Sequence, residues 1–356
     1  MALFILPNEL LLEIVHLSDS GTQKSLSLTS RNLLGLAQKR LFNCFRLALL
    51  DETTNEGDDL FVHLISRIDG IIQDERLSSY ISSLELEPKG RRDMVIHPRL
   101  ILAVERLFDG IDRFVALMNL KFIHMHISCT MATRLMTFIT FHALKITLGF
   151  CSYPGDEWRF PEDDTRLTKL SLFHSEASIP TEPFIIHLLE RSCTNLKELV
   201  LIGDERPSIS SLPCPLHTLV NLTIGCHMPE AQAFCDFLVQ NPTIEELDFW
   251  GLQDVSPLPA TALPALRFLG APSEWVGVLV PGRPLASVHI HTNAEPHDVR
   301  QLQYSTRPIT DLTLRTSWAL QELIVETFVA MVTATPHLQI FTLVFLEQVG
   351  ASTEGL

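Results

Sequence analysis

Two short motifs carry residues able to do chemistry, His124-x-His126 and His289-x-His291. Read as strands, each sets both imidazoles on one face, where they could share a metal ion. A metal site wants a third ligand, and none lies near either pair in the chain. The simpler reading is polar positions on a solvated strand face. The acidic pairs Glu246/Asp248 and Asp163/Asp164 have no nucleophile or oriented partner beside them, and general acid–base work requires both. No GxGxxG, Walker-type loop, HExxH or GxSxG elbow occurs. No enzyme class, cofactor or metal is expected.

The seven cysteines, Cys44, Cys129, Cys151, Cys193, Cys214, Cys226 and Cys235, are odd in number and form no CxxC pair. They suggest neither a disulfide framework nor a zinc ribbon, and read most simply as reduced, buried thiols. The 356 residues are 46% hydrophobic with a mean hydropathy of +0.20, enough apolar material for more than one core. No run reaches the ~18 apolar residues of a membrane span, and Glu9 and Glu13 interrupt the opening stretch that a signal peptide would need. An intracellular protein, cytoplasmic or nuclear and away from membranes, is expected. Net charge is −15, and because residues 1–46 carry five basic against three acidic side chains, the deficit lies entirely in the rest. An acidic body argues against nucleic acid as a partner, since phosphate binding needs clustered Lys and Arg.

The candidate positions sit on a repeated phrase of two apolar residues three apart followed by another two further on. Copies are Ile81-x-x-Leu84-x-Leu86, Leu120-x-x-Ile123-x-Met125, Phe141-x-x-Leu144-x-Ile146, Leu167-x-x-Leu170-x-Leu172 and Leu196-x-x-Leu199-x-Leu201. Further copies start at Leu219, Ile244, Leu285, Ile309 and Leu338, with a weaker one at Leu266. From Leu120 onward they recur every 19 to 29 residues, close to the ~20–29-residue period of leucine-rich repeats. The last two apolar positions alternate and so share one face of a short strand. Between phrases, 181–193, 228–240 and 320–333 have helical spacing. The predicted fold class is α/β, an irregular leucine-rich-repeat solenoid with parallel strands inside and helices outside. The Asn or Cys such repeats carry three residues after the strand is Ser175, Asp204, His227 and Leu252 in successive copies, so the turns must be satisfied one by one.

The side chains flanking the core positions of each strand face the concave surface. These are Lys169, Ser171, Phe173, Glu198, Val200, Ile202, Asn221, Thr223, Glu246, Asp248, Trp250, Phe268, Ser287, His289, His291, Asp311, Thr313 and Arg315. Phe173, Trp250, Phe268, His289, His291 and Arg315 form the candidate substrate-binding set, with Trp250 as its anchor, because aromatic side chains dominate interface energetics. The segment 153–164 is long and aromatic enough to cover them instead.

The N-terminus differs from this pattern. Pro7 suits the first position of a helix, and Glu9 follows in its first turn. Leu10, Ile14 and Leu17 form one stripe, Leu11 and Val15 lie a third of a turn away, and Leu12 further still. This apolar arc of about 220° is twice what one core needs, so the helix is either wholly buried or shared with a partner. A turn at 18–22 and helical spacing over 24–42, interrupted near Thr29 or Ser30, complete three short helices. The acidic stretch 51–59 is the first linker candidate. The organisation read from the chain is a helical domain over 1–50, a linker and first helix over 51–76, the solenoid over 77–346 and a flexible tail over 347–356.

The opening Leu6-Pro7-Asn8-Glu9-Leu10-Leu11-Leu12-Glu13-Ile14, followed by Leu26-Ser27-Leu28-Thr29-Ser30-Arg31-Asn32-Leu33, Leu36-Ala37 and Leu41-Phe42, resembles the F-box of many fungal proteins. The resemblance covers about 40 residues. It implies a three-helix unit docking a Skp-family adaptor, and through it a cullin, by way of Leu6, Pro7, Leu10, Ile14, Leu26 and Leu28. The repeats would then recruit an unknown protein substrate for ubiquitination. Where the family usually opens its second helix with leucines, this chain has Thr22 and Gln23. The alternative is a protein-binding scaffold with no ubiquitin connection, in which residues 1–46 cap the solenoid.

Overall fold

A computed structural model describes residues 8–29, 31–50, 57–89, 98–125, 127–142, 144–151, 163–174, 182–203, 215–225, 231–251, 254–317 and 321–346. They hold twelve strands and twelve α-helices in an α/β arrangement, and the chain divides into two compact units within β5 (Lys169–His174).

The first unit opens with α1 (Asn8–Leu17), α2 (Ser20–Thr29) and α3 (Arg31–Leu41). Their core is Leu11, Val15, Leu33 and Ala37, with Leu26 and Leu36 packed against it. The second helix starts inside the expected turn because the Asp19 carboxylate accepts from the backbone N–H and hydroxyl of Thr22. Those bonds, the backbone one first, hold the Asp19 carboxyl below its usual range. Gln23 is buried, and its Nε2 donates to the Val15 and Ser18 carbonyls at 2.9 and 2.8 Å, satisfying the C-terminal end of α1.

Strand β1 (Cys44–Leu50) follows and pairs in parallel with β2 (Ser83–Lys89), Phe45 opposite Leu84 and Leu47 opposite Leu86. It is an unforeseen first copy of the repeated phrase and begins within the stretch read as purely helical. Between the two strands lie α4 (Gly57–Gln73), whose first turn takes up Asp58 and Asp59 from the presumed linker, and α5 (Glu75–Ser78). Next come α6 (Pro98–Asp109), β3 (Asn119–Ile123), α7 (Cys129–Phe141) and β4 (Lys145–Gly149). Here the expected register is corrected once. β3 buries Leu120 and Phe122 as its strand pair, with Ile123 half-buried and buried Met125 lying beyond the strand, whereas the phrase starting at Phe141 buries Leu144 and Ile146 as expected and leaves only Phe141 exposed. Leu120, Phe122, Ile123 and Met125 crowd the β3 segment, so apolar spacing alone admitted two phases; pairing Leu120 with Ile146 and Phe122 with Leu148 selects one.

The second unit contains α8 (Glu182–Ser192), β6 (Glu198–Gly203), β7 (Asn221–Gly225), α9 (Ala231–Gln240), β8 (Glu246–Trp250), β9 (Phe268–Ala271) and α10 (Ser273–Leu279). It ends with β10 (Ser287–Asn293), α11 (Pro296–Gln301), β11 (Asp311–Ser317), α12 (Gln321–Ala334) and β12 (Ile340–Leu346). The strands from β6 to β12 pair in parallel in chain order. Each phrase from Leu196 to Ile309 buries its three apolar positions as expected. Phe234 of α9, Phe249 of β8 and Trp275 of α10 meet at centroid distances of 5.0 to 5.7 Å, joining helices to sheet.

Within each compact unit, a ladder of hydroxyls holds successive repeats together. Thr168, Thr218, Thr243 and Thr310 each donate to a carbonyl 22 to 24 residues earlier, Leu144, Leu196, Leu219 and Ala286 respectively. Buried Asn241 bridges the Leu216 N–H and the Phe237 carbonyl. Arg283, 1% exposed, donates to the carbonyls of Pro259, Ala262, Val278 and Pro281, and burial lowers its pKa. Ser175, Asp204, His227 and Leu252 lie outside the described residues.

Candidate functional site

On β8 the residues Glu246, Asp248 and Trp250 alternate with buried Leu247 and Phe249, so all three share the face turned away from the core. The register sets Gly225 beside Trp250, and Asp248 beside Gly270, which pairs in turn with His289. The two glycines decide what this face can hold. A Cβ at 225 would overlap the six-membered ring of the Trp250 indole, and one at 270 would overlap the Asp248 carboxylate and stand 2.8 Å from His291 Nε2. The bare backbone at 225 therefore seats the indole, and the one at 270 lets Asp248 and His291 meet across an intervening strand.

Asp248 Oδ1 lies 2.6 Å from His291 Nε2, a contact in which the imidazole N–H donates to the carboxylate. The His291 ring stands edge-on to Trp250 with centroids 6.0 Å apart, and His289 stands edge-on to Phe268 at 4.8 Å. Burial lowers the His289 pKa, with nearby Asp311 opposing the shift; Ser287 Oγ donates to that same Asp311 at 3.2 Å. Trp250 remains 38% exposed. Among the described residues, the one hydrogen bond of His291 is to Asp248, so the pair has no nucleophile to activate. Among the described residues no cluster of three His, Cys, Asp or Glu side chains can hold a metal ion. The face carries two aromatic side chains and an oriented acid–imidazole pair.

Four of the expected substrate-binding residues, Trp250, Phe268, His289 and His291, thus come together. Arg315 is exposed on β11, and Phe173 is half-buried on β5. Sequence reasoning missed two features. Asp248, read as lacking an oriented partner, has His291 as one; and Gly225 and Gly270 shape the face. A glycine inside a strand, where it weakens packing, was the available signal. The other His pair is corrected: His124 lies just beyond β3 with φ +51° and stacks on Phe150 at 4.7 Å, while His126 is outside the described residues. Most of 153–164 is outside them as well.

The second candidate surface is on α1. Leu11 and Val15 turn into the helical core, whereas Leu10, Ile14 and Leu17 are 51%, 37% and 77% exposed. Leu28 on α2 is 87% exposed, and Leu26 is half-buried against the core rather than free on the surface. Leu6 and Pro7 lie outside the described residues. Cys151 and Cys235 are buried, their thiols pushed up to about 12 and about 11 by burial, but Cys44 is exposed, contrary to the uniform burial expected. Cys214 and Cys226 are outside the described residues. Among the described residues no helix is long and apolar enough to cross a membrane. No protein-family model matches the chain, and no curated protein matches it.

Proposed function

We propose that the protein is the substrate-recognition subunit of a Skp/cullin/F-box type ubiquitin ligase. The helices α1–α3 would dock a Skp-family adaptor and through it a cullin, and the strand–helix repeats would hold a protein substrate. The observation that carries this reading is the division of labour around α1. One apolar stripe, Leu11 and Val15, serves its own core, while a second, Leu10, Ile14 and Leu17, is left in water. A helix apolar on two sides but packed on one has a vacancy for a partner. The receptor itself would be non-catalytic, raising the local concentration of substrate lysines near a conjugating enzyme recruited elsewhere in the complex.

A second reading is favoured by the chain running from α3 into β1 within three residues. The three helices would then cap the first repeat of a protein-binding scaffold with no ubiquitin role. Co-purification of the full chain with a Skp-family adaptor separates the two, run beside the double variant Leu10→Asp, Ile14→Asp. The ligase reading expects the wild type to retain the adaptor and the variant to lose it at an unchanged melting temperature. A wild type that retains none leaves the scaffold.

A further inference from the structure

We infer that the outward face of β8 is a seat for basic side chains, arginine above all, presented by an extended segment of the partner protein; this rests on the reading of the repeats as a protein-binding face. Glu246, Asp248 and Trp250 lie at alternate positions of one strand, spanning about 13 Å at ~3.3 Å per residue, which matches the reach of a short extended peptide. Glu246 is exposed, and its carboxylate makes no hydrogen bond or ion pair among the described residues. Asp248 spends one oxygen on His291 and keeps the rest of its acceptor capacity. Trp250 contributes an indole, the best aromatic acceptor for a cation, held in place by the space above Gly225.

The combination selects against other occupants. Two carboxylates within one strand repel phosphate and carboxylate ligands. A purely apolar partner would strip water from Glu246 and Asp248 and return nothing. A divalent ion lacks a third ligand among the described residues. Guanidinium groups suit both kinds of partner on this face, since the planar fork donates to carboxylates and the flat face stacks on an indole. The net charge of −15 extends the same preference by drawing basic segments toward the chain.

The test titrates the full chain with a capped five-residue peptide containing two arginines and, in parallel, with the same peptide carrying citrulline in their place. Binding is followed through the Trp250 indole N–H resonance, assigned with Trp250→Phe. The arginine peptide should bind at least tenfold tighter than the citrulline peptide. Glu246→Gln and Asp248→Asn should each reduce arginine binding about fivefold at an unchanged melting temperature. Equal response to both peptides, or no response from a folded chain, overturns the proposal. Adaptor co-purification from the same preparation keeps the two ideas apart: an adaptor retained without arginine preference sinks this inference alone, and arginine preference without adaptor leaves a basic-peptide scaffold.

Discussion

The α1 stripe and the β8–β10 face both leave large apolar side chains in water, yet they are built in opposite ways. On α1 the exposed leucines touch nothing their own fold needs, because Leu11 and Val15 already fill the helical core. On the sheet, the outward aromatics are part of the structure: exposed Trp250 sits over Gly225, and half-buried Phe268 leans on His289. A helix can carry two independent apolar stripes, one for itself and one for a partner. A strand has only two faces, so whatever it offers must be fitted among its neighbours.

This contrast breaks most sharply within α1. Leu11→Ala should cost ~2–5 kcal/mol of the helical unit's stability, while Leu10→Ala, one residue away, should stay within ~0.5 kcal/mol. Amide exchange over α1–α3 reads the difference directly. Similar losses from both substitutions would mean that the Leu10 stripe is not free. On the sheet, Gly225→Val forces the indole off its seat, with an overpacking cost of ~1–3 kcal/mol and a change in tryptophan emission absent from the isosteric control Thr223→Val. Unaltered emission would show that Trp250 is not held by Gly225.

The smallest effect concerns His289. Burial lowers its pKa in the folded chain, so as pH falls below ~6.5 the unfolded chain takes up the proton first. Stability contributed by the neutral ring is complete above that range and is lost as pH falls toward the folded value. His289→Gln should flatten the decline in melting temperature between pH 7 and 5, each protein being compared with its own value at pH 8. Some slope should persist, because burial also lowers the pKa of His187. Identical slopes for wild type and variant would place His289 in a more open environment.

Much of this molecule is local information. The phrases from Leu196 to Ile309 bury the residues their spacing marks, and the break between α2 and α3 falls after Thr29 as expected, because period-2 alternation and helix interruption are written in consecutive residues. The composition of the β8 face, with Trp250, Phe268, His289 and His291 on its outward positions, was legible for the same reason. Other features depended on neighbours far along the chain. The phase of β3 was set by pairing in a segment where Leu120 and Phe122 competed with Ile123 and Met125. β1 became a strand because Phe45 and Leu47 found Leu84 and Leu86, about 39 residues on. Asp248 and His291, 43 residues apart, met because the strand between them offers a glycine. The sequence by itself determined that α1 carries more apolar surface than one core can use; only packing against α2 and α3 decided which stripe is inside, since burial is a property of the neighbours and not of the helix.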